Sequence, residues 1–145
     1  MAGTFELEIA TPERLLAKEQ ATEAQIPAKN GYIGVLPEHA PLLSELGAGR
    51  LTYRSSSGEH TLVVRGGFVE VLPDHVRVLT DRAEMASEID AAEAQQFLRD
   101  AEQRVNDLAR TTASTGGTEF PLLDIDAALE GLQHAQARVD SAQKR

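Results

Sequence analysis

The sequence predicts an antiparallel β-sandwich or barrel of many short strands followed by an antiparallel two-helix hairpin. Three observations carry this expectation. Apolar residues alternate with polar ones up to about Ala86, they recur at steps of three and four beyond it, and turn residues punctuate the first part at short intervals. The boundary is accordingly set at residues 1–86 for the strand-built domain and 87–145 for the hairpin.

Near the start, Phe5, Leu7 and Ile9 alternate with Thr4, Glu6 and Glu8, the pattern of a strand buried on one face. Thr11-Pro12, Asn30-Gly31, Leu46-Gly47 and Gly66-Gly67 mark turns. Leu51 and Tyr53 alternate with Arg50, Thr52 and Arg54. Ser55-Ser56-Ser57-Gly58 and Thr61-Leu62-Val63-Val64 follow, so a hairpin is expected there. A second hairpin runs from Phe68-Val69-Glu70-Val71-Leu72 through Pro73-Asp74-His75 to Val76-Arg77-Val78-Leu79.

After Ala86 the strand formers give way to Ala, Glu, Gln and Arg. Asp90 and Glu93 have capping-box spacing, which satisfies free amides at a helix start. Ala94, Leu98, Ala101, Val105 and Leu108 then draw one apolar stripe. A Thr/Ser/Gly-rich break from Thr111 to Phe120, closed by Pro121, separates this helix from a second one capped by Asp124 or Asp126. The second stripe is Ile125, Leu129, Leu132, Ala135 or Gln136, Val139 and Ala142. Both stripes are rich in alanine, and Gly131 costs about 1 kcal/mol against alanine inside a helix. Hydrophobic stabilisation scales with apolar area, so these helices are expected to hold loosely against each other. A stable domain carries a detachable arm.

The chain has 145 residues, 41% hydrophobic, and no run near the roughly 20 apolar residues that cross a bilayer. No basic head or apolar core of a leader opens it, and direct membrane insertion is not expected. There is no cysteine, which removes disulfides, thiolate metal sites and thiol nucleophiles. A net charge of -9 disfavours nucleic acid, whose phosphates need clustered Lys and Arg. His39, His60, His75 and His134 show no metal-ligand spacing, so no metal site is expected. Ser55 to Ser57 sit in a turn without an adjacent base in the sequence. Neither Gly31-Tyr32-Ile33-Gly34 nor Gly66-Gly67 continues into a phosphate loop. These readings point to a binding or structural role, not to an enzyme. On them alone, an adaptor built from a sandwich and a coiled-coil-like hairpin remains the alternative.

The segment Gly31-Tyr32-Ile33-Gly34-Val35-Leu36-Pro37-Glu38-His39-Ala40-Pro41-Leu42-Leu43 is similar to a signature of the epsilon subunits of bacterial F-type ATP synthases. Val64-Arg65-Gly66-Gly67-Phe68-Val69-Glu70-Val71, continuing through Val76 to Leu79 and Asp81, resembles the same family's paired strands. Gly47-Ala48-Gly49-Arg50-Leu51 and Ile89-Asp90 match as well. Order and spacing agree over residues 4 to 110.

The resemblance implies a non-catalytic rotor subunit with an N-terminal β-sandwich of about ten antiparallel strands and a C-terminal antiparallel pair of helices. Its sandwich would bind the gamma subunit and rest on the c-ring, so that proton flow drives ATP synthesis. Tyr32, Glu38 and His39 would be contact residues there. The helices would leave the sandwich, extend toward the catalytic alpha and beta subunits and inhibit hydrolysis. Arg99, Arg104, Arg110, Arg138, Lys144 and Arg145 would be the basic residues facing them. Some relatives bind ATP through an Ile/Leu-Asp-x-x-Arg-Ala motif. Here Glu93 stands at the arginine position, so no ATP and no cofactor is expected. The family also implies a peripheral place at the cytoplasmic face of the bacterial plasma membrane.

Overall fold

The computed structural model describes residues 3–114 and 122–143. Seven strands come first: β1 (Phe5–Ala10), β2 (Leu15–Ala28), β3 (Gly31–Val35), β4 (Leu42–Glu45), β5 (Ala48–Ser55), β6 (Gly58–Val71) and β7 (His75–Met85). A single 3-10 turn, Ala86–Glu88, leads to α1 (Ala91–Ser114) and α2 (Leu122–Gln143). The sheet order is β1-β7-β6-β5-β2-β3, β4 pairs with β6, and β1 also pairs with β2, so the sheet folds back on itself. Both expected hairpins form, with Ser55 opposite Gly58 and Val71 opposite Val76.

Among the described residues the strand count is seven instead of about ten, and one pairing, β1 with β7, is parallel. The physical reason lies in Gly66-Gly67, expected as a turn but found inside β6. Leu62 and Val64 point into the core before it, and Val69 and Val71 after it. The buried set therefore changes from even to odd positions across the two glycines. Their φ angles are +72° and +104°, which side-chain-bearing residues rarely adopt. One long strand thus serves both layers where two short ones were expected. β2 does the same at the bulge between Ala21 and Glu23: Ala17 and Ala21 are buried before it, Ala24 and Ile26 after it.

The main core comes entirely from the strand region and includes Phe5, Leu7, Ile9, Ile26, Leu51, Leu62, Val76 and Val78. A second, separate cluster joins Val63 and Ile89 to Ala94, Ala137, Val139 and Ala142, with Leu98 against it. Most of its helical members are alanines. Each contributes one methyl, on the order of 0.8 kcal/mol, against about 1.5–3 kcal/mol for a buried Val, Leu, Ile or Phe. The hairpin is therefore attached through a thin apolar contact and does not share the sandwich core.

α1 follows the expected stripe: Ala94 is buried and Leu98, Ala101, Val105 and Leu108 are half-buried. It runs through Thr111 to Ser114, past the expected start of the break, and residues 115–121 lie outside the described residues. α2 begins at Leu122, so Asp124 and Asp126 fall within its opening turns, not at its cap. Its burial also exceeds one stripe. Ala135, Val139 and Ala142 are buried as expected, but so are Ala128, His134, Ala137, Arg138 and Ser141, while Leu129 is 43% exposed. α2 lies between α1 and strands β5 and β6, which gives it two packed faces. Its many small side chains let both neighbours approach.

Candidate functional site

The outer face of the sheet carries an apolar band. Phe68 on β6 pairs with Leu79 on β7, Leu79 with Ala10 on β1, and Ala10 with Leu15 on β2. Directly paired residues project to the same face. Phe68 is 57% exposed, Leu79 52% and Leu15 55%. Leu43 on β4, 72% exposed, lies one step along from Glu45, the partner of Phe68. A charged row borders the band, with Arg77 between Glu8 and Glu70 and a 3.6 Å contact from Arg77 to Glu8. Single exposed apolar residues are ordinary, whereas a contiguous band rimmed by charge marks a docking surface. The sequence reading missed it, because Phe68 and Leu79 were counted as strand formers. The available signal was apolar residues on both phases of one strand: Val69, Val71, Val76 and Val78 already fill the core.

Glu38 and His39 lie in the turn after β3, at one end of the sandwich. The Glu38 amide donates to the Pro73 carbonyl at 2.8 Å, tying this turn to the β6–β7 turn. Glu38 has φ of 65°, a left-handed conformation unusual for a non-glycine residue. The His39 amide donates to the Leu36 carbonyl at 3.2 Å, and its Nδ1 lies 2.6 Å from the Ala40 carbonyl. Leu36, Pro37 and Pro73 complete an exposed, proline-lined tip. Tyr32 is not brought to it. Tyr32 sits four residues earlier than Leu36, roughly 13 Å along an extended chain. Its hydroxyl accepts the Arg50 amide at 3.2 Å, and its ring borders a cleft of about 850 Å³ that also includes Gln133 and Gln136 of α2.

The hairpin is fastened at two places. At the linker, Arg14 of the β1–β2 turn makes two bonds, 2.9 and 3.3 Å, to the Glu88 carboxylate. Glu88 also accepts the Met85 amide at 3.1 Å. The bond from Arg14, then that from Met85, lowers the Glu88 pKa from its ordinary value, and Glu88 raises that of Arg14. Asp90 then caps α1, accepting the Glu93 amide at 2.9 Å. The Glu93 carboxylate turns instead toward α2.

There it meets Arg138, only 7% exposed. This guanidinium donates through Nε to Glu84 of β7 and, at 3.4 Å, to Glu93, and it lies 5.3 Å over the Phe97 ring. Arg65 of β6 donates to Glu130 of α2 at 3.2 Å. His134 is buried and meets Phe97 in a T-shaped ring pair with centroids 6.0 Å apart. Burial first, then the charges of Arg65, Arg138 and Arg82, push its pKa down to about 4, so it is neutral at pH 7. Arg138 is thus buried against the sheet and α1 in this arrangement and does not face outward. Arg99, Arg104 and Arg110 are exposed on α1, with Arg99 donating to Gln96 and Arg110 3.9 Å from Asp107. Lys144 and Arg145 lie outside the described residues.

Two other clusters do not assemble into reactive centres. Ser57 Oγ lies 2.8 Å and Ser55 Oγ 3.1 Å from His60 Nε2, so the fold supplies a base that the sequence did not reveal. Glu19 approaches the same nitrogen at 4.0 Å. A triad needs the carboxylate on the opposite nitrogen, to orient the ring and steady its charge. Glu19 instead accepts the Tyr53 hydroxyl, and burial together with this carboxylate raises the Tyr53 pKa to about 12. Glu6, Glu8 and His75 also place possible ligand atoms within 4.8 Å of one another. His75 Nδ1 lies 3.5 Å from Glu6, while its Nε2 is buried without a partner among the described residues. A metal on Nδ1 would force the ring proton onto that buried nitrogen, so the geometry suits a hydrogen bond to Glu6 better.

The family model for the β-sandwich domain of the ATP synthase delta/epsilon chain matches residues 4–86. The ATP synthase epsilon chain of Solibacter usitatus is 46% identical over 147 residues, covering 100% of both chains. That of Koribacter versatilis is 43% identical over 105 residues, covering 72% of this chain and 74% of the relative. Among solved structures, a chain of the Euglena gracilis mitochondrial ATP synthase shares the fold, with a TM-score of 0.72 at 19% identity. That match covers 98% of this chain and 82% of the other.

Proposed function

The chain belongs to the family of ATP synthase epsilon chains, non-catalytic subunits of that enzyme, and from this premise we propose how its surfaces serve a rotor. The observation that carries the proposal is the outward band of Leu43, Phe68, Leu79 and Leu15. Left in water, such a band costs free energy that a partner removes by covering it. Its occupant is the gamma subunit. The proline-lined tip with Glu38 and His39 rests on the polar loops of the c-ring, and the tie between Glu38 and Pro73 stiffens it for carrying torque. Tyr32, on the side of the α2 cleft, serves the junction of sandwich and hairpin more directly than the ring.

Proton flow through the c-ring then turns ring, gamma and sandwich together and drives ATP synthesis. The hairpin is the regulatory arm. Its thin apolar attachment and its polar latch suit two states separated by a few kcal/mol. Once released, Arg99, Arg104, Arg110 and Arg138 face acidic surfaces of the catalytic subunits and slow hydrolysis. Nucleotide is not expected to hold the docked state, because Glu93 stands at the position where the ATP-binding motif has arginine. Among the described residues no helix is long and apolar enough to cross a membrane. The subunit reaches the cytoplasmic face of the bacterial plasma membrane through its partners.

Co-elution with a gamma subunit tests the docking surface. Wild type and a chain ending after Glu88 should both bind, and Leu79→Glu should not. If Leu79→Glu binds as wild type does, the band is not the gamma surface. Hydrolysis by the catalytic head, compared between the full chain and the chain ending after Glu88, tests the arm. Equal rates would remove the inhibitory role and leave the coupling role standing.

A further inference from the structure

His134 lies where the hairpin meets the sheet, beside a cavity of about 290 Å³, and Nδ1 has no partner among the described residues. Each element that lines this cavity presents charge at the junction. β6 contributes Arg65, β7 contributes Arg82 and Glu84, α1 contributes Glu93, and α2 contributes Glu130 and Arg138. The carboxylates are already engaged: Glu84 and Glu93 by Arg138, and Glu130 by Arg65. A second proton on His134 would place a fourth cation beside the guanidiniums of Arg65, Arg82 and Arg138 and make both ring nitrogens donors, although Nδ1 faces no acceptor among the described residues. Burying an unpaired charge is costly, and the cheapest relief is for α2 to leave the sheet and hydrate the ring.

We propose that the docked hairpin is released by acid, with protonation of buried His134 as the trigger. This rests on the movable hairpin described above and adds a chemical signal for its movement. The direction follows from linkage. The docked pKa is lowered from 6.5 to about 4, so the neutral ring's contribution to docking is complete above pH about 6.5 and fades as pH falls toward 4. Between pH 7.5 and 5 the ratio of released to docked hairpin should rise about 30-fold. Glu84 and Glu93 face the same junction through Arg138, so the test must isolate the ring.

Amide hydrogen exchange on the full chain reads the opening constant of α2 directly, with Leu7, Val64 and Val78 in the sheet as internal reference. After correction for intrinsic exchange, the opening constant of residues 134–142 should rise about 30-fold from pH 7.5 to 5 in wild type. Glu84→Gln should retain this rise. His134→Phe keeps an aromatic edge against Phe97 and has no proton to gain, so its opening constant should be flat. His134→Gln should be flat as well and guards against crowding by the larger ring. A flat wild type, or an equal rise in both His134 variants, overturns the proposal. Arg138→Ala separates the two levels of inference. If it frees α2 while pH does not, only the acid trigger fails; if neither frees it, the movable hairpin fails too.

Discussion

Arg138→Ala is the substitution that most directly asks whether the hairpin is a separate unit. The side chain is nine-tenths buried and binds one carboxylate from the sheet and one from the first helix. Glu84 keeps 28% of its side chain exposed and Glu93 68%. The Glu93 contact is therefore largely screened by water and is left out of the sum. A charge-assisted bond such as that to Glu84 contributes about 1.5–3 kcal/mol, with the lower half apt for a partly hydrated partner. The guanidinium over Phe97 adds about 0.5–1 kcal/mol. Docking should weaken by about 2–3 kcal/mol, or roughly 30- to 150-fold in the opening constant of α2. Hydrogen exchange should show that loss in residues 134–142, while amides around Leu7 and Val78 change by less than about 0.5 kcal/mol. Equal loss in sheet and helix would mean one cooperative unit and would refute the two-part reasoning. For activity the better variant is Glu84→Gln, which weakens the latch but leaves the positive charge of Arg138 available to a partner. If the arm is inhibitory, Glu84→Gln should hydrolyse ATP more slowly than wild type at equal occupancy of the complex.

Other expectations follow from single contacts. Phe68→Glu should fold with near wild-type stability, since the ring is 57% exposed, yet bind gamma at least tenfold more weakly, as titration calorimetry would read. Gly67→Ala should cost more than about 3 kcal/mol by chemical denaturation, because a Cβ would stand 2.0 Å from the Leu79 carbonyl oxygen at a φ of +104°. At the linker, the Glu88 carboxyl is held below its ordinary pKa, chiefly by Arg14. Its clamp is therefore complete above the ordinary carboxylate range and is lost as pH falls through the lowered value. A carboxyl-carbon NMR titration should show the Glu88 midpoint rising toward its ordinary value in Arg14→Gln.

What was legible in the sequence was what a local period could express. Phe5, Leu7 and Ile9 announce one buried face, and the stripe from Ala94 to Leu108 marks the inner side of α1 residue by residue. What was hidden were places where one element faces two environments. Gly66-Gly67 looks like punctuation because a flip of the buried phase and a chain reversal ask for the same backbone freedom; only the pairing of Arg65 with Arg82 and Gly67 with Thr80 shows that the strand continues. α2 carries no single stripe because it is packed on two sides, so its burial is spread around the helix and no one period dominates.

The same ambiguity governs the candidate site. An apolar residue on the outer phase of a strand is indistinguishable, in one sequence, from a core residue on a strand of opposite register; the band of Phe68 and Leu79 emerges only when Val69, Val71, Val76 and Val78 are seen to fill the interior. Charges are read worse still. Arg138 and Arg104 are alike as helix arginines, yet one is buried against Glu84 and Phe97 and the other lies in solvent. That difference gives the hairpin its physics. A helix docked by alanines alone would gain too little from burial to stay down, and one docked by leucines would not come up. In the proposed arm, a few ionic contacts added to a thin apolar seam would keep the docked state favoured by a margin that one charge, gained or lost, could reverse.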